Sequence, residues 1–145
     1  MKYRMAAAVL SLLGVLLAAY LYLYKIGAIP GLVCGTGGCE TVQASPYARF
    51  LGVEVALIGV AGYAACLALA LVGVGTGAER RHWSDRLLLV ATTLGVGFTA
   101  WLTYAEAALI HAWCRWCLGS AAIITLLCAT AWLGWRALGR ATTAA

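Results

Sequence analysis

The sequence predicts an all-α integral membrane protein, a four-transmembrane-helix bundle with its one long loop, and a short interfacial helix, between helices 1 and 2. Three observations carry that prediction. Only 10% of the residues are charged and 64% are hydrophobic, where a soluble domain holds about 25% charged residues. The mean hydropathy is +0.93. Four apolar runs, residues 5–24, 55–74, 87–105 and 114–135, each approach the roughly 20 residues that cross a hydrocarbon core of about 30 Å. Lipid offers backbone amides no water partner, so such runs must be helices. Residues 1–145 read as one membrane domain.

The first run follows Lys2 and Arg4, as a signal peptide would. It is longer than the roughly 7 to 15 residues of a signal core, and no small-x-small cleavage site follows, so it reads as a retained first span. The loop after it, 25–54, opens with Gly27, Pro30 and Gly31, which break a helix. Next come Cys34-Gly35-Thr36-Gly37-Gly38-Cys39. Glycines accept positive φ, so this linker is expected to be mobile and to bring its cysteines to two partners in turn. The alternative is a static turn closed by a disulfide. Ser45-Pro46 reads as a helix start, with serine capping free N–H groups and proline in the first turn. The short interfacial helix would run over 46–51, dip Tyr47, Phe50 and Leu51 into the interface, and stop at Gly52.

Beyond the second span a polar loop over 75–85 holds His82. The third span is expected to end near Glu106, a few residues before Cys114, which makes the third and fourth helices antiparallel neighbours. Gly59, Gly62, Gly95 and Gly97 are placed to let helices approach closely. Cys66 and Cys128 fall inside spans and read as small core or lipid-facing residues.

Orientation follows from basic residues in short loops. Lys2, Arg4, Arg80, Arg81, Arg86, Arg136 and Arg140 fall on the side of the termini, against Lys25, Arg49 and Arg115 on the other. Seven against three puts both termini in the cytoplasm and accounts for the net charge of +5. No aromatic-basic interleaving points to nucleic acid. Cys34, Cys39, Cys114 and Cys117 all lie on the non-cytoplasmic side, where an oxidising compartment such as the bacterial periplasm permits disulfides.

Cys114-Arg115-Trp116-Cys117 stands at the head of the fourth span. The helix dipole, outward-pointing amides and the charge of Arg115 should each lower a cysteine pKa from about 8.5. Exchange chemistry needs such a thiolate. A passive disulfide is the competing reading, although so small a loop stabilises little. Four cysteines on zinc have tolerable spacing, but an oxidising compartment favours disulfides, and no metal is assigned. His111 reads as a surface residue at the helix end. A pair at the water and a pair beside lipid call for a lipid-soluble two-electron acceptor, and a quinone is the natural one.

Cys34 and Cys39, then Val42 and Ser45, then Gly52, Gly59 and Tyr63, then Cys114-x-x-Cys117 occur in an order and approximate spacing that resemble the bacterial branch of the vitamin K epoxide reductase family. The likeness covers nearly the whole chain. It implies a four-helix membrane enzyme that oxidises a periplasmic thioredoxin-like (DsbA-type) partner and reduces ubiquinone or menaquinone in the bacterial inner membrane, with the site on the periplasmic side. By that resemblance Cys34 meets the partner, Cys39 attacks Cys114, Cys117 faces the quinone, and Ser45 supports the loop or the quinone end of the site. Departures exist. The loop pair is separated by fewer residues than in several relatives. The asparagine and tyrosine that flank the quinone in animal enzymes align with Val55 and Ala121, which argues against assuming epoxide reduction and leaves the other quinone contacts unassigned. The sequence stops soon after its fourth span, so the expected partner is a separate protein. Quinone reductases of the Dsb type keep C-x-x-C in the first loop instead. From another class, a mercury-type carrier would place its cysteine pairs within spans, whereas all four lie on one side here.

Overall fold

A computed structural model describes residues 2–34, 38–75 and 78–144. Four helices are long and apolar enough to cross a membrane: α1 (Lys2–Lys25), α3 (Val55–Gly75), α4 (Ala78–Ala105) with the π-helical turn after it, and α5 (Arg115–Thr143). A short helix, α2 (Gly38–Ala44), lies in the loop between α1 and α3. The bundle is therefore all-α, as composition and run length predict. Each long helix rests mainly on two neighbours, in the ring α1–α3–α4–α5. Large apolar side chains such as Leu12, Leu16, Leu94 and Trp132 are left facing outward. On a water-soluble protein such a surface would be an anomaly; on a bundle of spans it is the lipid face.

Small residues set the helix spacing. At Gly14 of α1 an added Cβ would meet the Tyr63 ring of α3 at 2.2 Å, so the two backbones close around that ring. Gly59 abuts Ala18, and Gly95 abuts Ile124. Gly62 and Gly97 face open space instead; the expectation of close approach holds for two of those four glycines. Tyr63 donates its hydroxyl to the Ser120 carbonyl at 2.8 Å, linking α3 to α5.

Several element boundaries differ from the sequence expectation. The interfacial helix over 46–51 is replaced by a single 3₁₀ turn, Pro46–Ala48, and a two-stranded hairpin, β1 (Arg49–Phe50) and β2 (Val53–Glu54). Leu51 and Gly52 both take positive φ at its tip, the backbone that a tight hairpin requires and that glycine adopts freely. Ser45 does not cap the turn. Its Oγ donates to the Val42 carbonyl at 2.6 Å and closes the end of α2. The polar loop over 75–85 is mostly helical, since α4 begins at Ala78. The third span does not end at Glu106: a π-helical turn, Glu106–Ile110, prolongs it. The glycine-rich linker expected to be mobile, 35–37, lies outside the described residues.

At the end of the bundle that carries the chain termini, Arg4 of α1 is buried. Its guanidinium donates to the Gly73 carbonyl of α3 and to the Asp85 carboxylate of α4. A Cβ at Gly73 would collide with that guanidinium. One charge thus ties three helices together. Burying a charge is costly unless it is paired and hydrogen-bonded, and Arg4 is both.

Candidate active site

The opposite end of the bundle gathers all four paired cysteines. Cys34 and Cys39 are joined by a disulfide, their Cα atoms 6.1 Å apart. Cys114 and Cys117 are free thiols. Cys39 and Cys114 are both 0% exposed and share one apolar cluster with Leu21, Leu32 and Val42. Cys34 is half-buried at the margin of the same cluster.

The loop reaches that position for identifiable reasons. Gly38, the first residue of α2, packs so tightly that an added Cβ would stand 2.2 Å from the Trp113 carbonyl oxygen. Only glycine lets α2 lie on the strand of backbone that leads into Cys114. The Trp116 indole N–H donates to the Val33 carbonyl at 3.1 Å, next to Cys34. The Val33 N–H in turn donates to the Tyr20 hydroxyl at 3.1 Å, and the Tyr20 and Trp116 rings meet at 5.1 Å. At the other end of α2, Lys25 donates to the Gln43 carbonyl and lies 3.6 Å from Glu54, fixing the loop to α1 and to the hairpin.

Cys114 is the N-cap of α5. Its Sγ accepts from the Cys117 N–H at 3.3 Å. The Cys117 thiol beside it holds the Cys114 thiol below its ordinary value, with the Cys117 and Trp116 amides adding to the effect, while burial and the nearby Glu106 carboxylate oppose it. The sequence expectation of an easily ionised thiol at a helix start has its geometric basis here. Arg115 is exposed, and the groups that lower the thiol are the Cys117 thiol and the amides.

Two polar residues that sequence reasoning passed over stand beside the pair. Glu106 is 3% exposed. Its Oε2 accepts from the Cys114 N–H at 3.1 Å. Gln43 is buried, and its Nε2 donates to Cys117 Sγ at 3.7 Å. Glu106 had a signal: an ionisable residue continuing an apolar run is a functional candidate by default. It was read as the end of a span. Gln43 had none, because a glutamine in a polar loop is unremarkable until the loop folds over the bundle.

Cys117, Glu106 and Gln43 border a cavity of about 360 Å³ between the long helices. Its volume falls within the roughly 300–1,000 Å³ of small-molecule sites. The walls are chiefly apolar, among them Leu17, Phe98 and Leu102. Thr99 and Thr103 also line it, but their hydroxyls donate to carbonyls of their own helix. Val55 lines the cavity as well and adds no polar atom. Cys66 lines it from α3, whereas Cys128 lies away from it near Thr93. His111 is exposed, in left-handed backbone at the end of the π-helical turn.

Residues 5–132 match the profile of the vitamin K epoxide reductase family. The chain belongs to that family. It is accordingly a membrane oxidoreductase with four candidate spans, and Cys34, Cys39, Cys114 and Cys117 converge at one end of the bundle. The redox chemistry of the vitamin K epoxide reductase family is linked to quinones.

Proposed function

We propose that this protein is a thiol–disulfide oxidoreductase that reoxidises a thioredoxin-like protein and passes the electrons to a membrane quinone, supporting disulfide formation outside the cytoplasm. The observation that supports it most is the ordering of sulfurs by burial: Cys34 at the margin, Cys39 and Cys114 fully buried in one cluster, Cys117 on the cavity. In this reading a thiolate of the partner attacks Cys34 and releases Cys39. The partner's second thiolate then breaks the bond to Cys34, so the partner leaves oxidised and Cys34 is freed. Cys39 attacks Cys114 of a Cys114–Cys117 disulfide and releases Cys117, Cys34 then attacks Cys39 and releases Cys114, and the inner pair is left as two thiols. After that transfer Cys34 and Cys39 are bonded again and Cys114 and Cys117 are thiols.

A quinone suits the cavity: apolar walls accept its ring and tail, and the polar side chains of Gln43 and Glu106 border it together with Cys117. When bound it supplies a two-electron sink beside the inner pair. The excess of basic residues at the termini supports a bacterial inner-membrane protein with the cysteines on the periplasmic side. The partner is a thioredoxin-like protein of the DsbA type.

The test uses purified protein in lipid nanodiscs, a reduced thioredoxin-like dithiol and a short-tailed ubiquinone. Quinone loss should follow partner oxidation one for one. Cys114→Ser and Cys117→Ser should each abolish it. Cys34→Ser should lose the protein partner but retain turnover with a small dithiol. Unchanged quinone reduction in Cys117→Ser would sink the reading, and stoichiometric zinc or mercury binding to the four thiols would favour a carrier.

A further inference from the structure

We infer that Glu106 is the proton acceptor of the inner thiol pair, taking the proton of Cys117 when the Cys114–Cys117 bond forms and handing it to the acceptor in the cavity. The inference rests on the proposed function for the identity of that acceptor. It rests on geometry for the residue.

A carboxyl group at this depth is expensive to keep unless it has a task or a partner. Among the described residues no lysine or arginine forms an ion pair with Glu106; the ion pairs found there involve Arg4 with Asp85, and Lys25 and Arg49 with Glu54. Glu106 accepts from the Cys114 N–H at 3.1 Å and borders the same cavity as Cys117, whose own N–H donates to Cys114 Sγ. The amide fixes one oxygen. That places the carboxyl group beside the thiol pair, where it can take the proton that Cys117 must lose. The group also lines the cavity, so a proton on it has an exit toward a ligand there. The π-helical turn that begins at Glu106 gives the position its direction. Both the His111 and Ala112 amides donate to the Glu106 carbonyl, which turns the chain back toward Cys114. Such π-turns occur often at functional sites.

The reduced pair enters as the Cys114 thiolate and the Cys117 thiol. The Cys117 S–H bond breaks and Glu106 becomes a carboxylic acid. The Cys114–Cys117 S–S bond forms, and two electrons leave for the quinone. Two protons accompany them, one from Glu106 and one from water at the loop end. Glu106 returns to a carboxylate, ready for the next pair. Gln43, on the other side of Cys117, offers an N–H to the same sulfur but cannot carry its proton.

Two measurements test this. The first needs no quinone. Infrared difference spectra of the full-length protein are recorded between the dithiol and disulfide states of Cys114/Cys117, set with small thiol and disulfide reagents. With no quinone to take the proton, Glu106 keeps it when the disulfide forms, so a protonated-carboxyl band should appear in the disulfide state, shift in Glu106→Asp and be absent in Glu106→Gln. No carboxyl change in the wild type would overturn the inference. The second compares turnover. Glu106→Gln keeps a hydrogen-bond acceptor but not a base, so kcat for quinone reduction should fall about 100-fold, the low end for general acid–base catalysis, with KM for the quinone within threefold. Glu106→Asp should recover at least a tenth of the wild-type kcat. Wild-type kcat in Glu106→Gln, or equal losses in both variants, would overturn it. Failure of the underlying reading has another signature, namely quinone reduction that survives in Cys117→Ser.

Discussion

The two ends of the bundle each bury a carboxylate, and they use it in opposite ways. At the terminal end Asp85 is neutralised by Arg4, which also binds the Gly73 carbonyl. That site is closed, and it holds α1, α3 and α4 in place. At the loop end Glu106 meets an amide, beside two free cysteines and a cavity. An ion pair satisfies its members and leaves nothing to react. A carboxylate whose neighbours are exchangeable sulfur groups stays available for proton transfer. Substitutions at the terminal end should therefore move stability and spare turnover, and substitutions at the loop end should do the reverse.

The largest expected effect is at the terminal end. Arg4→Ala leaves Asp85 buried without its cation, which costs about 3–5 kcal/mol. Thermal unfolding in detergent should register the loss, while kcat of the protein that remains folded stays within twofold. Arg4→Met with Asp85→Leu removes both charges and should recover most of the stability. A double variant as unstable as Arg4→Ala would show that the site does more than neutralise charge.

Next comes Gly38→Ala at the loop end. The new methyl group must push α2 off the Trp113 carbonyl, and a misplacement of about 1 Å can cost roughly 100-fold in rate. Transfer from Cys39 to Cys114, followed by stopped-flow with reduced partner, should slow by about that factor with little change in the unfolding temperature. A smaller effect concerns pH. The hydrogen bond from the Cys117 thiol is the first cause of the depressed Cys114 value, so Cys114 in the reduced protein should show its thiolate absorbance below the usual thiol range, about 8.5. Cys117→Ala should move that titration upward. The smallest effect is between the two ends. Tyr63→Phe removes a hydrogen bond to Ser120 and should cost about 0.6 kcal/mol, the average for such bonds within membranes, read as a small drop in unfolding temperature.

The number of spans, the grouping of the cysteines and the family were legible because each depends on local composition or spacing: run length, basic residues in loops, C-x-x-C at a helix head. The loop was legible only in part. Ser45-Pro46 reads as a helix start, yet Ser45 turns back to Val42 because α2 already occupies the residues before it. The tight seating of Gly38 depends on Trp113, far away in sequence. Glu106 and Gln43 gain meaning only when α4 and α2 are folded onto Cys117. Long-range juxtaposition leaves little trace in a single sequence, and the candidate site is made of it.

The central claim is that electrons cross between the two pairs through Cys39 and Cys114. The most direct measurement removes the outer sulfur of each pair, in Cys34→Ser/Cys117→Ser, and exposes the purified protein to mild oxidation. Peptide mapping by mass spectrometry should find a Cys39–Cys114 disulfide in nearly every molecule. Cys39 and Cys114 remaining as separate thiols, or cross-linking only between molecules, would contradict the account.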